Sequence, residues 1–231
     1  MSGFARRADI WRGGRPASSG PAAIPTGFPA LDAALPGGGW PLGALTEVLE
    51  ERQGIGALSL FLPALAHLSR GGRWIAWFSP PYLPYAPALA MAGVELGRVL
   101  LVQAHTRDEG LWALEQALRS GTCGACLGWI GAADFRILRR LQLAAEAGRG
   151  LGVLFRPAVF AVQHSPAALR LRPGPRQAGM ALQVLKCRGA WSAGPTTLGL
   201  DRDPPSVNNR SERDAAKKRG TPQAERSVKR G

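Results

Sequence analysis

The sequence predicts an α/β domain with a mostly parallel sheet, helices on both faces and an antiparallel hairpin at the carboxyl-terminal end. Three observations carry this. Short apolar runs of strand type recur at 44–49, 73–79, 98–102, 123–130 and 150–155. The segments between them hold apolar residues at helical spacing, and strands alternating with helices imply parallel pairing with both faces covered. A glycine-bearing loop follows the first of these strands and leads into an apolar helical segment, the strand-loop-helix order of a nucleotide fold.

The elements follow in order. Residues 1–23 mix Gly, Pro, Ser and Arg without period and read as an arm, which Ile10-Trp11-Arg12 could anchor. Thr26 to Leu35 reads as a turn and short helix, and Pro36 to Gly43 as a tight connector. The first core strand begins at Ala44. Ala57 to Ser69 has a helical pattern in which Pro63 predicts a kink, and Gly71-Gly72 ends it. Pro80-Pro81 stops the second strand. Helices are expected near Pro84 to Ala92 and over Asp108 to Arg119, and Asp134 is placed to cap a third that ends near Gly148. Leu169 to Arg172 and Met180 to Arg188 read as a hairpin joined by Pro173-Gly174-Pro175. Beyond Leu200 the chain turns polar and charged, which predicts a disordered tail. The expected division is therefore an arm 1–23, one domain 24–200 and a basic tail 201–231.

The loop between the first strand and its helix lacks what phosphate binding needs. Such a loop requires a Gly-Lys-Ser/Thr step, since the lysine reaches the outer phosphates and the hydroxyl holds magnesium. Gly56-Ala57 stands at that step, Gly54 keeps the turn, and Glu50 and Glu51 place negative charge where a polyphosphate would lie. A nucleotide-fold scaffold without nucleotide chemistry is expected, with no cofactor and no catalytic residues.

The 231 residues carry a formal net charge of +13, of which the tail contributes +4 and the first 200 residues +9. A basic body is compatible with contact to a polyanion such as nucleic acid, and equally with an arginine-rich composition that keeps a protein soluble. No window approaches the roughly 18 apolar residues of a membrane span, and three cysteines are too few for a disulfide framework, so a cytoplasmic protein is expected.

At this point a resemblance enters. From Ile24 to Trp191 the order of motifs resembles the RecA recombinase core, with Thr26-Gly-Phe-Pro-Ala-Leu-Asp-Ala-Ala-Leu35 similar to its entry segment. The closer resemblance is to the ImuA family. It rests on Trp11-Arg12-Gly13, Leu35 to Glu47, Gly54-Ile-Gly56 with Leu62-Pro-Ala-Leu65, Trp77-Phe-Ser-Pro-Pro-Tyr82 and Leu185-Lys-Cys-Arg188. The resemblance implies a RecA-like accessory protein of SOS-induced mutagenic translesion synthesis. Its implied partners are an ImuB-like Y-family protein and an error-prone C-family polymerase, with RecA and DNA as further contacts. Set against the recombinase, Pro81 stands where a water-activating glutamate would be, and Leu127-Gly128-Trp129 where a magnesium-holding aspartate would be. Three missing parts make ATP hydrolysis improbable. The alternatives are a SulA-like cell-division inhibitor and a RecA-like ATPase with a rearranged loop.

The remaining constellations are weaker. Cys123-Gly-Ala-Cys126 has redox or half-zinc spacing, but without a second pair buried strand cysteines are expected. His67, His105 and His164 lie on different elements and form no ligand face. Tyr82 and Tyr85 follow the double proline at the carboxyl end of a strand, where ligands bind in open sheets, and could form a contact surface. Arg136, Arg139 and Arg140 read as a solvated helix face first and a phosphate-binding face second. Lys217, Lys218 and Arg219 in the tail are a candidate polyanion contact on the same terms.

Overall fold

The structure is a computed structural model that describes residues 22–52, 56–175, 180–189 and 196–200. Residues 1–21 of the arm, Gly54 and the tail with Lys217, Lys218 and Arg219 lie outside the described residues. A two-stranded antiparallel ribbon comes first: β1 (Ala23–Ile24) pairs with β2 (Trp40–Pro41) around helix α1 (Pro29–Ala34). Thr26 locks the entry to α1, its N–H donating to Asp32 Oδ1 at 2.8 Å and its Oγ1 accepting from Phe28 N at 3.0 Å. Gly39 is required where the ribbon closes, because a methyl group there would stand 2.1 Å from the Ile24 carbonyl oxygen.

The main sheet has eight strands in the order β10-β9-β8-β3-β7-β6-β4-β5. These are β3 (Ala44–Glu50), β4 (Trp74–Phe78), β5 (Val99–Val102), β6 (Cys123–Trp129), β7 (Leu151–Pro157), β8 (Leu169–Pro175), β9 (Met180–Cys187) and β10 (Thr196–Leu200). The pairs β3–β7, β3–β8, β4–β5, β4–β6 and β6–β7 are parallel, while β8–β9 and β9–β10 are antiparallel. Side chains alternate between two cores, as the pleat demands. Ile75, Trp77, Leu127, Val153 and Phe155 share one with α2 (Leu62–Arg70) and α3 (Ala86–Met91). Leu45, Ala76, Phe78 and Leu154 share the other with α4 (Arg107–Ser120) and α5 (Phe135–Gly148). The expected α/β architecture is therefore present.

Side-chain caps set the starts of α4 and α5. Thr106 and Glu109 form a reciprocal capping box at α4, and the Asp134 carboxylate accepts from Ile137 N at 2.8 Å to start α5. Two expectations are corrected. Pro63 kinks no continuous helix: a 3-10 turn over Ala57–Leu60 ends first, and Pro63 sits in the opening turn of α2, where a missing N–H costs nothing. Pro173-Gly174-Pro175 is not the hairpin connector but the end of β8, paired with Leu182, Ala181 and Met180. Beyond Leu171 β8 no longer pairs with β3, so its prolines face an edge without a ladder to interrupt. The strand β10 adds a further antiparallel partner to the expected hairpin.

Candidate functional site

At the carboxyl ends of β3, β4, β6 and β7 the sheet opens into a cleft of about 270 Å3, lined by Glu50, Glu51, Ser79, Pro81, Trp129, Ile130, Gly131, Phe155, Arg156 and Pro157. Ligands of open α/β sheets bind at this end. The structure thus gathers residues that sequence reasoning had found separately: Glu50 and Glu51 from the loop, Pro81 after β4, and Trp129 from the end of β6. Within Leu127-Gly128-Trp129 only Trp129 reaches the cleft; Leu127 is buried in the core, and a methyl on Gly128 would instead meet Leu114 of α4. Gly56 begins the 3-10 turn at φ 89°, a left-handed conformation suited to glycine, and Ala57 is buried.

One row of residues crosses the floor. Trp129 is in register with Phe155, and Phe155 with Val48, so the three lie side by side on one face of the sheet. Trp129 and Phe155 stack with centroids 4.6 Å apart, and Trp77 tilts against Trp129 at 5.6 Å. Glu50 follows two residues after Val48 on the same face. It is 8% exposed, and burial pushes its carboxyl up to about 7. Glu51 is exposed and pairs with Arg172. Ser79 adopts a left-handed backbone at φ 50° where the chain leaves β4.

The opposite face of the same strands holds charges that sequence reasoning did not identify. Glu47 is fully buried and accepts from Arg156 Nη1 at 2.8 Å and from Arg170 Nε at 2.6 Å. Arg156 also donates to the Ala133 carbonyl and Gln163 Oε1, and its guanidinium lies 4.8 Å from the Phe160 ring. Arg170 donates to the carbonyls of Phe160 and Ala161, both at 3.0 Å. The triad therefore pins the 3-10 turn Ala158–Val162 across β3 and leaves Val159 and Val162 exposed. A signal was present in the sequence: Glu47 interrupts an apolar strand, and Arg170 alternates with Leu169 and Leu171.

The other expected site residues do not join the cleft. Tyr82 and Tyr85 are exposed at 70% and 73% on the segment leading into α3. Arg136, Arg139 and Arg140 are exposed on α5, and Arg140 shares the buried Glu115 of α4 with Arg119. Cys123 and Cys126 are buried in β6, where a register shift interrupts pairing with β4. A hydrogen bond from Cys126, with Arg73 nearby, holds the Cys123 thiol at about 7 against burial; the same bond and burial push Cys126 up. His67, His105 and His164 are exposed, and no group of three or more metal-ligating side chains occurs among the described residues. No helix among the described residues is long and apolar enough to cross a membrane.

The family model of the cell division inhibitor SulA matches residues 43–152. Over this stretch the chain is similar to the SulA family. The SulA of Edwardsiella piscicida is 37% identical over 101 residues, 43% of this chain and 60% of that protein. The ImuA of Caulobacter vibrioides is 34% identical over 133 residues, 55% of this chain and 54% of that protein. The chain thus spans somewhat more than half the length of these relatives. A crystal structure of SulA from Pseudomonas aeruginosa aligns with a TM-score of 0.41 and 27% identity, covering 48% of this chain and 97% of that one. The stretch matched by the SulA family model, Gly43 to Gly152, holds β3, β4, β5 and β6, hence most of the cleft lining. The relationship to both ImuA and SulA agrees with the resemblance read from the sequence.

Proposed function

We propose that this chain is a non-catalytic accessory protein of SOS-induced mutagenic translesion synthesis, acting in the cytoplasm through protein contacts. The observation that carries this reading is the cleft. Its wall has Glu50 and Glu51 placing negative charge where a polyphosphate would lie, Pro81 where a general base would stand, and Trp129 near where a magnesium ligand would stand, and Gly56-Ala57 replaces the lysine step of the loop that follows. The central position of β3 between parallel β7 and β8, followed by a glycine-bearing turn, supports a RecA-like reading of the sheet. Similarity to ImuA supports the choice of pathway. The partners are then an ImuB-like Y-family protein and an error-prone C-family polymerase, with RecA and DNA as further contacts. Co-purification of the full chain from damage-treated cells recovers the first two; recovery of neither refutes the assembly.

A second reading has its own support. The SulA family model and the 37% identity to a SulA favour a division inhibitor. That reading requires cells to filament on overexpression and the division-ring protein to bind directly. Normal division with retained polymerase contacts decides for the first reading.

A further inference from the structure

We propose that the cleft at the carboxyl ends of β3, β4, β6 and β7 receives a cationic side chain, an arginine or lysine of a partner polypeptide, between the Glu50 carboxylate and the Trp129–Phe155 row. The proposal rests on the reading of the chain as a protein that works by contact, and names the chemistry its partner brings.

The charges around the cleft sort by face. Arg156 borders it, but its guanidinium turns to the far side of the sheet, where Glu47, the Ala133 carbonyl and Gln163 take its donors. Arg172 of β8 is spent on Glu51. The lining from the ends of β4 and β6, Ser79, Pro81, Trp129, Ile130 and Gly131, carries no charge. Glu50 is left, more than nine-tenths buried, lining the cleft and with no hydrogen-bond or ion-pair partner among the described residues. Its oxygens are not among the fully buried polar atoms that lack a partner, so the carboxyl opens onto the cleft from a largely dried wall, where a docking cation would give it a partner. The neighbouring aromatic row offers π surface to the same cation, an arrangement that favours guanidinium or ammonium over phosphate. The cleft, about 270 Å3, has room for one long side chain.

The tendency of Glu50 to hold its proton near neutrality fits this arrangement, because docking a cation releases the proton and tightens as pH rises. Titration of the 15N-labelled full chain with N-acetyl-arginine amide, N-acetyl-lysine amide and inorganic pyrophosphate, followed at the Trp129 indole resonance, tests it. Expected are saturable shifts with either cation and none with pyrophosphate. Binding is tighter at about pH 8 than at about pH 6, Glu50→Gln weakens it by about tenfold or more, and Glu95→Gln, exposed and outside the cleft lining, changes it less than about twofold. An unmoved Trp129, saturation by pyrophosphate, or unchanged affinity in Glu50→Gln overturns the proposal. If the cations fail to bind while the partners still co-purify, the cleft assignment falls and the assembly stands; cation binding without partners gives the reverse.

Discussion

Replacing Glu47 by glutamine tests how far the buried triad holds this fold together. The change keeps side-chain volume and removes one charge from a site where Glu47 and Arg156 are fully buried and Arg170 nearly so. Two guanidinium groups then share a neutral amide that can accept from only one of them. Losing one partner of a buried pair costs about 3–5 kcal/mol, against a total stability of about 5–15 kcal/mol for a folded domain. At an m value of about 2 kcal/mol/M, the urea midpoint falls by about 1.5–2.5 M, read by far-ultraviolet circular dichroism. Glu51→Gln is the internal control. Its ion pair with Arg172 joins side chains 58% and 43% exposed, so the loss is about 0–1 kcal/mol. The combined change Glu47→Leu, Arg156→Met and Arg170→Leu recovers more than half of the loss, since no charge is then stranded. It does not recover all of it, because the Phe160 and Ala161 carbonyls lose their donors. A Glu47→Gln protein within about 1 kcal/mol of the parent, or a triple variant weaker than the single one, refutes the reasoning.

Three further outcomes follow from the packing and the cleft. Glu50 has a raised folded-state pKa of about 7 against 4.5 unfolded, so the folded state binds the extra proton and stability falls as pH rises from about 4.5 through 7. Glu50→Gln removes that slope and is more stable at about pH 8 by at most about 3 kcal/mol; parallel slopes in the two proteins would contradict it. Trp40 is fully buried, stacks 4.5 Å from Phe61 and has no partner for its indole N–H among the described residues. Trp40→Ala therefore loses about 3–5 kcal/mol in thermal unfolding and Trp40→Phe less than about 1.5, and equal losses would contradict this. A fluorescent ATP analogue with magnesium gives no saturable signal, and micromolar affinity would restore the ATPase alternative.

The layer architecture was legible because buried parallel strands are continuous apolar runs and the helices between them keep a 3.6 period, from Trp74 to Phe78 and from Arg107 to Ser120 alike. Boundaries set by side-chain caps were legible too, as at Asp134. What escaped was tertiary in origin. Pro173 and Pro175 read as a turn because a local pattern does not reveal which edge of β8 lacks a neighbour. The Glu47–Arg156–Arg170 triad joins residues 109 and 123 positions apart, and nothing local announces the pairing. At the cleft, the missing lysine and hydroxyl at Gly56-Ala57 could be read directly, since they are residue types. That Glu50 and Trp129 line one cleft could not, since it depends on register between β3, β7 and β6.

The triad also bears on modularity. Glu47 lies inside the stretch matched by the SulA family model, while Arg156 and Arg170 lie beyond its end at Gly152. That boundary falls two residues into β7 and omits β8, the two strands that flank β3. A segment cut at the edges of family likeness would carry an orphan carboxylate in the middle of an unpaired strand. In this chain the bounds of the family match cut across the triad, and excision or fusion at Gly152 would separate Glu47 from both of its arginines.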